Sequence, residues 1–89
     1  MSGYVYILES GRNGRYYVGS SVDVEARLEN FHNRGKVRAT KYMRPWKLVF
    51  KQECKSLTQA RQIEAKIKLF KSRRIIENIV FSGNCDLII

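Results

Sequence analysis

Residues 4–20 restrict the fold of this chain more than any other stretch. Tyr4-Val5-Tyr6-Ile7-Leu8-Glu9 and Arg15-Tyr16-Tyr17-Val18-Gly19-Ser20 are rich in β-branched and aromatic residues, which suit a pleated, half-buried surface. Between them lies Ser10-Gly11-Arg12-Asn13-Gly14. Asn-Gly is the strongest short-range hairpin signal, because both residues tolerate positive φ. The chain therefore opens with an antiparallel hairpin. Gly19, near the end of the second strand, predicts a bulge or a close backbone approach.

The hydrophobic period then changes. Ser21 is the predicted N-cap of a helix, with Asp23 and Glu25 suited to the positive end of its dipole. Val24, Leu28 and Phe31 recur at i, i+4 and i+7, and this helix should end near Asn33 to Gly35. Residues 34–45 read as a loop without an acid, punctuated by Pro45. Trp46-Lys47-Leu48-Val49-Phe50-Lys51 reads as a half-exposed strand. Ser56 with Gln59 forms a capping box, opening a helix with Ala60, Ile63, Ile67 and Phe70 on one face. Ser72 is placed to cap a shorter helix carrying Ile75, Ile76, Ile79 and Val80. The order β-β-α-β-α-α predicts an α+β domain, a three-stranded sheet with helices packed on it. It should span residues 1–82, with a C-terminal tail over 83–89.

A chain of 89 residues makes one domain, and a 44% hydrophobic content excludes disorder as a reading of the whole. Seventeen Lys and Arg against eight Asp and Glu give a net charge of +9. Such a surface attracts polyanions, and DNA or RNA is the first partner to consider. An acidic membrane would call for a basic amphipathic helix with a strongly apolar face or a lipidation signal, and neither is evident. Cys54, Cys85 and the single His32 make neither a disulfide framework nor a zinc site. No secretory signal and no apolar run of about 20 residues are visible. The expected location is cytoplasmic, with both thiols reduced.

Two charged residues fall on apolar stripes. At about 100° per helical residue, Arg27 lies beside Val24 and Phe31, and Glu64 lies beside Ala60 and Ile67. A charge facing a core is costly unless it is paired or lines a polar site. Pairing with each other, or burial of the stem with the head in water, is the plain reading. The alternative follows from the hairpin, which carries Tyr4, Tyr6, Tyr16 and Tyr17. A sheet loaded with phenols, crossed by helices offering one Arg and one Glu, can form a phosphate-sized pocket.

Tyr4-Val5-Tyr6-Ile7, a short hairpin and then Tyr17-Val18-Gly19 resemble the paired motifs of the GIY-YIG nuclease superfamily. Tyr4 and Val5 replace the Gly and Ile of the first motif, and Val18 replaces the Ile of the second. Arg27, eight residues after Gly19, matches the family's helix arginine. His32-Asn33 with Gly35, Thr40-Lys41, Pro45 to Val49, Ala60 four before Glu64, and Lys71-Ser72-Arg73 are similar to the small stand-alone bacterial subgroup. That subgroup is itself similar to the N-terminal nuclease domain of the excinuclease C subunit. The resemblance spans roughly residues 4–80 and implies the GIY-YIG endonuclease fold.

The resemblance also implies an activity: a divalent-metal-dependent endonuclease hydrolysing phosphodiester bonds in DNA, in a setting of repair or recombination. RNA is the alternative substrate. Glu64 would hold the metal, Mg²⁺ or Mn²⁺, completed by water and substrate phosphate. Arg27 would hold the scissile phosphate through its planar fork. Tyr6 and Tyr17 would orient the attacking water, one of them as general base. Tyr4 and Tyr16 read as strand packing or as solvent-facing phenols. His32 is the family's further catalytic candidate, but the sequence departs here. The family often places a His or Tyr four residues after the Arg, where this chain has Phe31. In a regular helix the fifth residue turns about 140° from Arg27, and a solvent-facing histidine at the helix end is the other reading.

Arg34, Lys36, Arg38, Lys41 and Arg44 in the loop, with Lys68 and Lys71, would follow the nucleic-acid backbone without choosing sequence. Trp46 could stack on a base, but the start of a strand favours a core position. Asn78 and Asn84 are further polar candidates near the metal. The competing function is a non-catalytic nucleic-acid-binding domain that retains the GIY-YIG fold. A domain this small has no evident second element for target choice, which a helper protein or a homodimer would have to supply.

Overall fold

The computed structural model of the chain describes residues 2–34, 42, 44–70 and 72–83, apart from the side chains of Asn30 and Phe31. Three strands, β1 (Gly3–Ser10), β2 (Tyr16–Ser21) and β3 (Trp46–Cys54), form one antiparallel sheet in the order β2-β1-β3. The hairpin joins β1 to β2, with Tyr6 opposite Gly19 and Ile7 opposite Val18. Gly14 takes φ +71° at its tip, and its N–H donates to Ser10 O at 2.9 Å. Side-chain-bearing residues rarely adopt that backbone conformation.

β3 pairs with the other side of β1 and is longer than its sequence pattern predicts. Ile7 faces Phe50 and Leu8 faces Leu48, so Val49 is an extra residue in β3. A bulge of this kind shifts the alternation by one. It explains why Leu48 and Phe50 pack in different clusters although they are two apart.

Alternation along β1 gives the sheet two dressed faces. Val5 and Ile7, with Val18 and Phe50, meet Ala60, Ile63 and Ile67 of α2 (Leu57–Phe70) and Ile79 of α3 (Arg73–Ser82). Tyr6 and Leu8 face the other way, with Trp46, Val24 and Leu28. The latter two belong to the helical segment after β2. It begins as α1 (Val24–Arg27) and widens into a π-helical turn over Leu28–His32.

Local signals fix most helix starts. Gln59 N–H donates to Ser56 Oγ at 3.1 Å, and Gln59 Oε1 accepts from Lys55 N–H at 2.8 Å. Ser72 caps α3 by accepting from Ile75 N–H at 3.4 Å. At α1 the cap is Asp23, which accepts from Ala26 N–H at 3.0 Å, rather than the predicted Ser21. Ser21 Oγ instead accepts from Asp23 N–H at 3.1 Å, steadying the turn before the helix. Phe70 also departs from expectation. It is 47% exposed, whereas Ala60, Ile63 and Ile67 of the same stripe are buried.

Candidate active site

Tyr6 is the centre of the predicted site. Alternation points its ring toward α1, where it is only 1% exposed. The ring lies across Gly19 on the neighbouring strand. A Cβ at Gly19 would stand 2.5 Å from Tyr6 Oη and 3.0 Å from Tyr17 Cε2. The close approach expected from Gly19 is therefore made by a phenol, and any side chain here would expel it.

The hydroxyl of Tyr6 meets His32 Nε2 at 2.9 Å, in the interior. His32 is 0% exposed, so the solvent-facing reading is corrected. The physical reason is the π turn. Asn33 N–H donates to Leu28 O at 2.9 Å, five residues back. Each such turn holds one residue more than an α turn. The fifth residue after Arg27 thus returns to the face that the fourth would occupy in a regular helix. Asn33 then ties the end of this turn to β3: its Oδ1 accepts from Trp46 N–H at 2.6 Å, and its Nδ2 donates to Trp46 O at 3.2 Å.

Burial, then the Tyr17 phenol, pushes Tyr6 up to about 12, against the pull of the Arg27 guanidinium and its hydrogen bond. Burial, then the charge of Arg27, pushes His32 down to about 4. Both rings are therefore uncharged at neutral pH. With Arg27 donating to the phenol, we assign the phenol proton to His32 Nε2 and the imidazole proton to Nδ1. Arg27 itself is half-buried.

Tyr17 forms the outer layer. It is half-buried, with its ring centroid 4.8 Å from that of His32, 6.4 Å from Tyr6 and 6.3 Å from Trp46. Trp46 is buried behind it and serves as core. Tyr4 and Tyr16 pack along the strands, each with a cation over its ring: Lys51 at 5.2 Å and Arg73 at 4.9 Å from the centroids.

Glu64 approaches from α2, at the open edge of β2. Ser20 Oγ donates to its Oε1 at 2.6 Å, and Lys68 Nζ reaches its Oε2 at 2.6 Å. The plain expectation that Glu64 pairs with Arg27 is corrected: its ionic partner is Lys68, one helical turn away. The carboxylate side chain is 20% exposed, and its charge is felt at the Tyr6 phenol. Tyr6, Tyr17, Arg27 and His32 are thus gathered on one face, with Glu64 at the adjoining edge.

No cluster of three or more His, Cys, Asp or Glu that could hold an ion occurs among the described residues. A single rim carboxylate fits a hard cation that takes most of its ligands from water and substrate phosphate. Glu64 is the described residue that meets this requirement.

The basic residues are distributed differently. Arg34 and Arg44 are exposed, while Lys68 belongs to the Glu64 cluster. Arg44 lines a cleft of about 390 Å³ with Arg12, Asn33, Tyr42 and Pro45. Lys36, Arg38, Lys41, Lys71, Asn84 and Cys85 lie outside the described residues. Asn78 is exposed on α3, on the helix beyond α2, and Cys54 is buried, its Sγ 3.8 Å from Gln52 O. Sequence reasoning missed Ser20, whose alternation with Val18 already directs it toward α2. It also gave no role to Asn33, because a contact between a turn and a distant strand leaves no periodic trace.

A model of the GIY-YIG catalytic domain matches residues 2–75. A UPF0213 protein of Streptococcus pneumoniae is 39% identical over 72 residues, covering 80% of this chain and 68% of that relative. One from Staphylococcus aureus is 35% identical over 74 residues, covering 82% and 88%. The solution structure of a UPF0213 protein from Bacillus halodurans superposes with a TM-score of 0.59 at 34% identity, covering 97% of this chain and 89% of that one. No described helix is long and apolar enough to cross a membrane. The tyrosine-bearing hairpin, the helix arginine and these matches together make the chain a member of the GIY-YIG nuclease superfamily, in its small UPF0213 group.

Proposed function

We propose that this protein is a divalent-metal-dependent endonuclease that hydrolyses phosphodiester bonds in DNA. The observation that carries this reading is the convergence on one phenol. Tyr6 is bonded to His32, touched by Arg27 and within the field of Glu64. Those groups come from β1, α1, the turn after it, and α2, and packing alone has no need to assemble them.

Arg27 donates to Tyr6, and its planar fork would hold the phosphate. Its benefit grows as charge builds on the phosphoryl oxygens. Tyr6 keeps its proton to about 12, so it serves as a donor and positioning group. The general base at the half-open rim is then Tyr17, which orients the attacking water. His32 holds Tyr6, and through it Arg27, in register. A cation on Glu64 would polarise the phosphate and stabilise the leaving oxygen. Arg34, Lys36, Arg38, Lys41, Arg44 and Lys71 supply sequence-independent hold on the backbone. A net charge of +9 supports that role.

The test is nicking of labelled DNA, over flaps, forks, bubbles and RNA hybrids, with Mg²⁺ or Mn²⁺. Wild type should cut, and Glu64→Ala and Arg27→Ala should not. Cleavage retained by both variants would discredit the site. Binding without cleavage on every substrate would leave a nucleic-acid-binding domain that keeps the fold.

A further inference from the structure

Lys68 occupies a position that simple backbone tracking does not explain. Its ammonium sits 2.6 Å from Glu64 Oε2 and 5.6 Å from the centroid of the Tyr17 ring. The other carboxylate oxygen is committed to Ser20 Oγ, also at 2.6 Å. Ser20 fixes the direction of the carboxylate, and Lys68 covers the oxygen left for a cation. In the free protein the cation on that oxygen is the protein's own.

We propose that Lys68 is an exchangeable counter-ion. It neutralises Glu64 before metal arrives, and turns to a backbone phosphate once a divalent cation displaces it. This rests on Glu64 being the metal ligand, as argued above.

Three properties make the exchange feasible. The Lys68 side chain is 50% exposed, and an exposed i,i+4 pair is held weakly, so displacement costs little. A divalent cation attracts the carboxylate more strongly than an ammonium, and then repels that ammonium. The lysine stem has four rotatable bonds and ends in a point charge. It can therefore leave Glu64 while remaining over Tyr17, beside the place proposed for the phosphate. Metal and nucleic acid then assist each other through one side chain, and the assistance is reciprocal.

The test uses the full chain and two ligands. Mn²⁺ alone is titrated calorimetrically into wild type, Lys68→Met, Glu64→Gln and Lys66→Met. Lys66→Met removes an equal charge from an exposed position two residues away, and controls for general electrostatics. A short DNA duplex is then titrated at constant ionic strength, with and without Ca²⁺. Lys68→Met should bind Mn²⁺ about two- to fivefold more tightly than wild type, with Lys66→Met near wild type. It should bind DNA more weakly, and lose most of the gain that Ca²⁺ gives the wild type.

Unchanged Mn²⁺ affinity in Lys68→Met, or an equal gain in Lys66→Met, overturns the exchange. So does a Ca²⁺ gain in DNA affinity that survives intact. If Mn²⁺ binding persists in Glu64→Gln, the metal-ligand reading fails first, and the two failures are separable. Lys68→Gln repeats the measurement should the Met variant fold poorly, as judged by its thermal transition.

Discussion

Acidification probes the neutral state of His32. Its pKa falls from 6.5 to about 4 in the folded chain, while the unfolded chain keeps the ordinary value. Between those two values the unfolded state binds more protons, so stability must fall as pH falls. The contribution is complete above about pH 6.5 and gone below about pH 4. The gap corresponds to roughly 3 kcal/mol, a large share of the stability of a small domain. Carboxylates titrate over the same range, so the quantity to measure is a difference. Urea unfolding of wild type and His32→Gln should be followed from about pH 7.5 to about pH 4. Glutamine can still accept from Tyr6 but does not titrate. The wild-type midpoint should fall by about 1–3 M more than the variant's, at the usual urea dependence. Midpoints that fall in parallel would refute both the buried neutral imidazole and the proton assignment built on it.

Four further outcomes are expected. Tyr17→Phe should lower kcat/KM by about 10²–10⁴-fold, the usual worth of a general base. Tyr6→Phe should lose less rate but about 1–3 kcal/mol of stability, because it leaves His32 Nε2 unsatisfied in the interior. A reversed order in single-turnover cleavage and thermal melting would exchange their roles. Gly19→Ala puts a Cβ 2.5 Å from Tyr6 Oη. The overpacking should cost about 1–3 kcal/mol and shift the His32 ring signals in NMR, and an unchanged spectrum would contradict the contact. Asn33→Ala severs both bonds to the Trp46 backbone. It should cost about 1–3 kcal/mol in chemical denaturation, and a loss under about 0.5 kcal/mol would mean water replaces the amide.

What the sequence expressed most clearly was local chemistry. Asn13-Gly14 specified the hairpin because a positive φ is a property of the turn itself. Ser56 with Gln59, and Ser72, specified helix starts because a cap reaches only three or four residues. Alternation sent Tyr6 and Gly19 to the same face of the hairpin. Helical spacing was enough to mark Arg27 and Glu64 as charges on apolar stripes. The order of elements followed, and with it the three-stranded sheet.

The remaining features depended on partners far along the chain. Nothing within Leu28–His32 announces a π turn, yet that turn is what returns His32 to Tyr6. It is stabilised in part by Asn33 binding the backbone of β3. The bulge at Val49 exists only through the pairing of β3 with β1. Phe70 looked like core because periodicity cannot say which residues of an apolar stripe find something to pack against. Glu64 found Ser20 because α2 crosses the edge of β2, whereas Lys68, one turn along the same helix, is a local partner that helical spacing already permits. Side-chain type and spacing are carried by the sequence. Which groups share a desolvated space is decided by packing between elements, and that sharing sets the charge state of Tyr6 and His32.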